Sequence, residues 1–352
     1  MVERATVPVE AVEAPNTGRR PWFLRAGIPT AWLGVPLGIT LLVLAALAWS
    51  VSAPIDYARK PFELRLPAIM GLSLAILYWM VSYYLARANS DFDLLGTRFD
   101  ASSAEIAAAR SRLSEQRRDL FWLGTAVAFV STVAVQQLNT QRWSRFASGD
   151  WNAFDVFSAA MVLLTSLLIY QAAAFAISVA IGLGRAAGEL LEVRLFDSGV
   201  AAPLVRFGLR TTILFVVAPM VTFGAFVVLA ASPWATLAFY WLLNVGFSVV
   251  CMVIPVARVH QIRVALKHDE LARVERAVHG DAAALAGSPL HAGLADLDLP
   301  GLLAYRREVA DASEWPFDAP ALRRFLAYMV IPPASWLAAA LVERGLERWL
   351  EG

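Results

Sequence analysis

Six stretches of this chain are apolar from end to end, and a seventh lies near the C-terminus; none contains Asp, Glu, Lys, Arg or His. They cover 30–52, 67–86, 120–138, 156–183, 211–231, 234–257 and, within 320–343, the run from Phe325 to Val342. From Thr211 to Ala257 the only interruption is the turn dipeptide Ser232-Pro233. A bilayer core of roughly 30 Å needs about 20 such residues per helix. The pattern predicts an all-α, polytopic membrane bundle with seven transmembrane helices and the N-terminus inside. Pro332-Pro333 removes two backbone donors and is expected to kink or break the last helix. A six-span bundle with a re-entrant segment at 320–343 therefore stands as the alternative.

Between the spans the pattern changes period. Ser102 and Glu105 have the spacing of a capping box, which predicts a helix through Arg118 running on into the third span. Val259, Ile262 and Leu266, followed by Leu271, Val274 and Val278, recur three or four residues apart among charges. That spacing predicts an amphipathic continuation of the sixth helix in need of a partner for its apolar face. Four segments result: a disordered cytoplasmic N-terminus (1–28), a six-span membrane domain (29–257) with a cytoplasmic helical segment at 88–118, a cytoplasmic extension and loop (258–319), and a C-terminal membrane helix and tail (320–352).

Charge adds direction. Of the 30 Lys and Arg residues, 23 fall on the side that holds residue 1 when the spans alternate. An excess of this kind orients a membrane protein with those segments in the cytoplasm. The first span is longer than the core of a signal peptide and is read as uncleaved. At 58% hydrophobic and net +1, the 352-residue chain is too apolar for an ordinary soluble domain and not basic enough to suggest nucleic acid. The single cysteine, Cys251, excludes an intramolecular disulfide and a cysteine-rich metal site. A preference for Arg and Ala suits a GC-rich bacterial genome, and the expected location is the bacterial inner membrane.

Candidate chemistry is sparse. The polar residues deepest in the spans are Gln171, Asn244, Ser131, Thr132 and Ser335. They are the candidate lining of a pore or solute site, and equally serve as hydrogen-bonding glue between helices. Ala172, Ala176, Ala180, Gly184 and Gly188 recur every fourth residue and predict a close helix–helix contact. The histidines, 260, 268, 279 and 291, lack the i, i+3 or i, i+4 spacing of metal-ligating pairs and are read as solvated. Asp91 and Asp93 are read as loop carboxylates that cap the neighbouring segment. No phosphate-binding glycine loop or nucleophile elbow occurs, and no nucleophile has a base beside it, so neither catalysis, a metal nor another cofactor is expected.

The C-terminal block Glu314-Trp315-Pro316-Phe317-Asp318, Arg323-Arg324-Phe325, Ile331-Pro332, Ser335-Trp336 and Val342-Glu343-Arg344 resembles the tail of uncharacterised bacterial multi-pass membrane proteins, and implies no activity. Seven spans, an inside N-terminus and a long cytoplasmic extension of the sixth helix are similar in layout to insect chemoreceptor-type ion channels. In that family the seventh helix lines a pore formed by four subunits; no motif is shared, and no residue is carried over. Spans without charge argue against proton relays and charged substrates, leaving conduction past amides and carbonyls. The first expectation is thus an oligomeric ion or small-solute channel of the bilayer. The second is a non-conducting scaffold or sensor that binds a protein partner through its cytoplasmic helices.

Overall fold

The computed structural model describes residues 79–80, 83–84, 86–113, 115–140, 147–149, 151, 153–197, 199–217, 234–288 and 299–351. The N-terminal segment 1–28, the predicted first span and most of the predicted second and fifth lie outside these residues. What is described is helical, with no strand beyond an isolated bridge between Phe99 and Leu191. In chain order the helices are α1 (86–96), α2 (Ser103–Leu113), α3 (Arg118–Thr140), α4 (Ala153–Leu190), α5 (Ala202–Thr212), α6 (Trp234–Val278), α7 (Leu299–Asp311) and α8 (Ala319–Glu351). Residues 79–80 and 83–84 are also helical. Among the described residues two helical stretches, Asp155–Leu190 and Trp241–Val278, are long and apolar enough to cross a membrane.

The capping box forms. Glu105 Oε2 accepts from the Ser102 backbone N–H at 2.8 Å and from its hydroxyl at 2.7 Å, while the Glu105 N–H donates to Ser102 Oγ at 3.3 Å. The helix it opens does not reach Arg118, however. α2 ends at Leu113, residues 115–117 are non-helical, and α3 begins at Arg118. Packing explains the break. Leu113 lies over Gly182 of α4, where an added Cβ would come within 3.0 Å of its Cδ2, and the Arg117 N–H donates to Ser178 Oγ at 3.3 Å. A continuous helix could not satisfy both contacts and still turn α3 along α4.

α4 is the central element, and glycines set its distance from each neighbour. Gly124 of α3 backs onto the Tyr170 carbonyl, 3.0 Å from where a Cβ would sit. On the α6 side, a Cβ on Gly184 would meet Ile254 O at 3.0 Å and Pro255 Cα at 3.1 Å, and one on Gly188 would collide with the Arg258 stem. Ala172, Ala176, Ala180 and Gly184 are all buried. Small side chains let two backbones approach, and the gain is dispersion contact along the whole crossing. α5 repeats the device, with Gly208 seated against Met252 of α6.

Past the apolar run α6 continues unbroken to Val278, a helix of 45 residues. Its amphipathic stripe finds a partner within the same chain. Val274 and Ala277 pack with Leu302, Tyr305 and Val309 of α7 and with Leu195 and Leu285. The spacing of 302, 305 and 309 puts all three on one face of α7.

α8 takes the helical of the two expected forms. It is helical for 33 residues through Pro332-Pro333, with neither a break nor a hairpin. Proline in a helix interior costs about 3 kcal/mol, so the rest of α8 must hold the helix together across both. Asp318 caps its start, accepting from the Ala321 N–H at 2.8 Å. Ala321 and Met329 are buried, and Met329 forms a cluster with Val216, Phe325, Trp241 and Val245.

Two glycines in the same fold make a controlled test. Gly184→Ala drives a methyl into the α6 backbone and is expected to lower the thermal midpoint, at a cost of about 1–3 kcal/mol. Gly246 meets nothing within 4 Å. Gly246→Ala should be neutral or stabilising by up to about 1 kcal/mol, through helix propensity. Thermal unfolding of the purified protein, followed by circular dichroism, checks both signs.

Candidate functional site

The predicted lining residues are placed as follows. Gln171 is buried between α3 and α4. Its amide donates to Thr125 Oγ1 at 2.7 Å and to the Phe121 carbonyl at 3.0 Å, and its oxygen accepts from Gln116 at 2.9 Å. Ser131 shares a 2.9 Å hydrogen bond with the Tyr170 hydroxyl, again joining α3 to α4. Thr132 donates to the Ala128 carbonyl of its own helix at 2.8 Å. Asn244 is buried in α6. Ser335 belongs to α8, and its side chain lies outside the described residues. Gln171 and Ser131 are thus brought onto one helix interface, and the two of them are spent on joining it.

Ionised groups gather instead beyond the apolar runs. Asp91 is a helix residue of α1, 1% exposed, and not the loop cap expected from sequence. Its Oδ2 accepts from Arg210 Nη1 of α5 at 2.6 Å, while Oδ1 is buried with no hydrogen-bond partner among the described residues. Burial raises the carboxyl above its ordinary range, against the opposing pull of Arg210, Arg206 and Arg87. Arg263 of α6 is 2% exposed, and its Nη2 donates to the Asp197 carbonyl. Burial lowers the pKa of this guanidinium, with Asp197 acting in the opposite direction.

A second cluster ties α6 to α7. Glu270, 2% exposed, accepts from the Tyr305 hydroxyl at 2.9 Å, from Ser288 Oγ and from Arg273 at 3.2 Å. Burial, then the hydrogen bond to Glu270, pushes the Tyr305 phenol up to about 12. Further along α6, His260 stacks on Trp315 with ring centroids 4.0 Å apart, and its Nδ1 lies 3.1 Å from the Glu314 carbonyl oxygen. Lys267 closes the joint by reaching Glu314 Oε1 at 3.2 Å and the Ala312 carbonyl at 3.0 Å. His279 Nδ1 lies 2.8 Å from its own helix, at the Glu275 carbonyl oxygen. Among the described residues no three His, Cys, Asp or Glu side chains gather as a metal site.

Sequence reasoning missed Asp91, Arg210, Arg263, Glu270 and Tyr305. One signal was available: Arg87/Asp91 and Arg206/Arg210 are each four apart, so each pair shares a helix face. Nothing local reveals that the two faces meet. The chain matches no family model, no curated protein and no solved structure.

Two outcomes follow from this geometry. Replacing Glu270 by Leu removes the buried carboxylate on which Tyr305, Ser288 and Arg273 converge, at a cost of about 1–3 kcal/mol. Limited proteolysis of the 279–311 region should quicken at least tenfold. For Asp91, the folded value lies above the unfolded one of about 4. Its protonated form therefore favours folding at low pH, and that advantage is lost as pH rises through the folded value. The stability of the wild type relative to Asp91→Asn should fall across that window, read as the difference in thermal midpoints.

Proposed function

We propose that this chain is a seven-span protein of the bacterial inner membrane that works as a non-conducting scaffold or sensor, holding a helical cytoplasmic unit against the bilayer. The membrane reading is supported by bare apolar faces on three helices. Trp122, Leu123 and Val130 of α3, Leu242 of α6, and Leu326, Ile331, Leu337 and Leu341 of α8 are each more than half exposed. A soluble protein seldom leaves so much apolar surface uncovered. The charge-free runs and the one-sided arginines agree with it.

The observation that carries the choice of scaffold over channel is the hydrogen bonding of Gln171 and Ser131. A lining side chain must keep a donor or acceptor free for the permeant species. Gln171 gives its amide protons to Thr125 and Phe121 and its oxygen to Gln116, and Ser131 is engaged with Tyr170. The partner-binding surface of this reading is the solvent side of α6 and α7, since Leu271, Val274 and Val278 of the apolar stripe are already covered by α7 and Val259 by the main core.

The rival is the oligomeric channel that the seven-span layout suggests, its pore formed between copies around α8. Reconstitution in liposomes separates the two. Wild-type protein is expected to give no ion flux above empty vesicles at any pH or voltage. Flux that falls by an order of magnitude in Gln171→Leu, Asn244→Leu or Ser335→Leu would establish the channel instead.

A further inference from the structure

The Asp91 cluster holds more positive charge than it uses. Arg87 and Asp91 lie one turn apart on α1, and Arg206 and Arg210 lie one turn apart on α5. Arg210 bridges the two helices, and both Arg87 and Arg206 lie close enough to bear on the Asp91 carboxylate. Three guanidiniums thus act on one carboxylate, of which only Arg210 is bound to it. Arg87 and Arg206 are exposed, and their neighbour Asp91 is sequestered by Arg210.

Aromatic residues continue the same stripe toward the membrane. Trp79, Tyr83 and Arg87 are each four residues apart. Trp79 and Tyr83 stack with centroids 5.7 Å apart, and the Arg87 guanidinium carbon lies 5.4 Å from the centre of the Tyr83 ring. Trp79 is 54% exposed. In sequence, Trp79 and Tyr83 close the second apolar run, Arg87 follows its end, and Arg206 and Arg210 precede the start of the fifth. Amphipathic aromatics beside arginines are the side chains that favour the headgroup level of a bilayer. The planar, permanently charged guanidinium pairs with phosphate through two parallel hydrogen bonds.

We propose that Arg87 and Arg206, held in place by the Arg210–Asp91 bridge and flanked by Trp79 and Tyr83, form a binding site for the phosphate headgroup of an anionic phospholipid in the cytoplasmic leaflet. This site rests on the membrane reading above. Each arginine near an anionic surface strengthens attraction by roughly fivefold. An occupied site would stabilise the contact between α1 and α5.

The test uses the full-length chain in detergent, with bound lipid counted by native mass spectrometry during titration with phosphatidylglycerol or phosphatidylcholine. Phosphatidylglycerol should bind in preference. Its apparent affinity should fall roughly fivefold in Arg87→Gln and in Arg206→Gln and further in the double variant. Arg194→Gln, which loses only a surface pair with Glu192, should bind as wild type does. Unchanged thermal midpoints without lipid would show that the losses are not unfolding. Equal binding of the two lipids, variants indistinguishable from wild type, or displacement by an equal concentration of inorganic phosphate would each overturn the site. Alkaline carbonate extraction of native membranes separates the two levels of inference. A chain released into the supernatant overturns the membrane reading and the site together, whereas a retained chain without lipid preference overturns the site alone.

Discussion

The close approach of α4 to α6 is the constraint on which the rest of the bundle depends. At Gly184 the α6 backbone passes where a side chain would otherwise begin, and at Gly188 the stem of Arg258 takes that space. Neither helix brings a charge into the apolar part of the crossing, so contact between small residues must supply the attachment. Where helix backbones touch this closely, a shift of one helix along the other would put alanines against larger side chains. Register is fixed there, and α3, α5 and α8 take their positions from it.

Polar chemistry follows a division of labour set by depth. Within the apolar runs Gln171 closes on Thr125 and Ser131 on Tyr170 of the neighbouring helix, while Thr132 bonds back to its own. At the end of the bundle ionised groups appear, and those that are buried are tied across elements: Asp91 to Arg210, Arg263 to the Asp197 carbonyl, Glu270 to Tyr305 and Ser288. Such ties contribute little net stability after desolvation. They are directional, however, and each fixes one particular pairing of helices. The α7 joint has both components, an apolar stripe for adhesion and Glu270 for alignment.

How much of this was legible in the sequence depended on the range of the interaction. The Ser102–Glu105 cap could be read because its partners are three residues apart, and so could the amphipathic stripe of 259–278. The break at 115–117 could not, because its cause is Leu113 and Arg117 finding Gly182 and Ser178 of a helix some 60 residues later. Pro332-Pro333 left two forms open for a related reason: proline reports a local cost, and the buried contacts of Ala321 and Met329 that hold the first half of α8 are made with other elements. Asp91 looked like a loop cap while its real partner, Arg210, lay 119 residues away. Gln171 was singled out as polar and deep, but whether it faced a void or another helix was decided by α3. Long-range pairing between charged or amide side chains leaves no local trace in a single chain.

The length of α6 has a mechanical consequence. From Pro255, opposite Gly184, to Val278 the helix continues without interruption for about 35 Å. Proline removes one rung of the hydrogen-bond ladder, which makes its neighbourhood the most compliant point of an otherwise stiff rod. A tilt of about 10° there would carry the far end through about 6 Å, given that length. Small rearrangements among the apolar helices would thus arrive at α7 enlarged into displacements the width of a side chain.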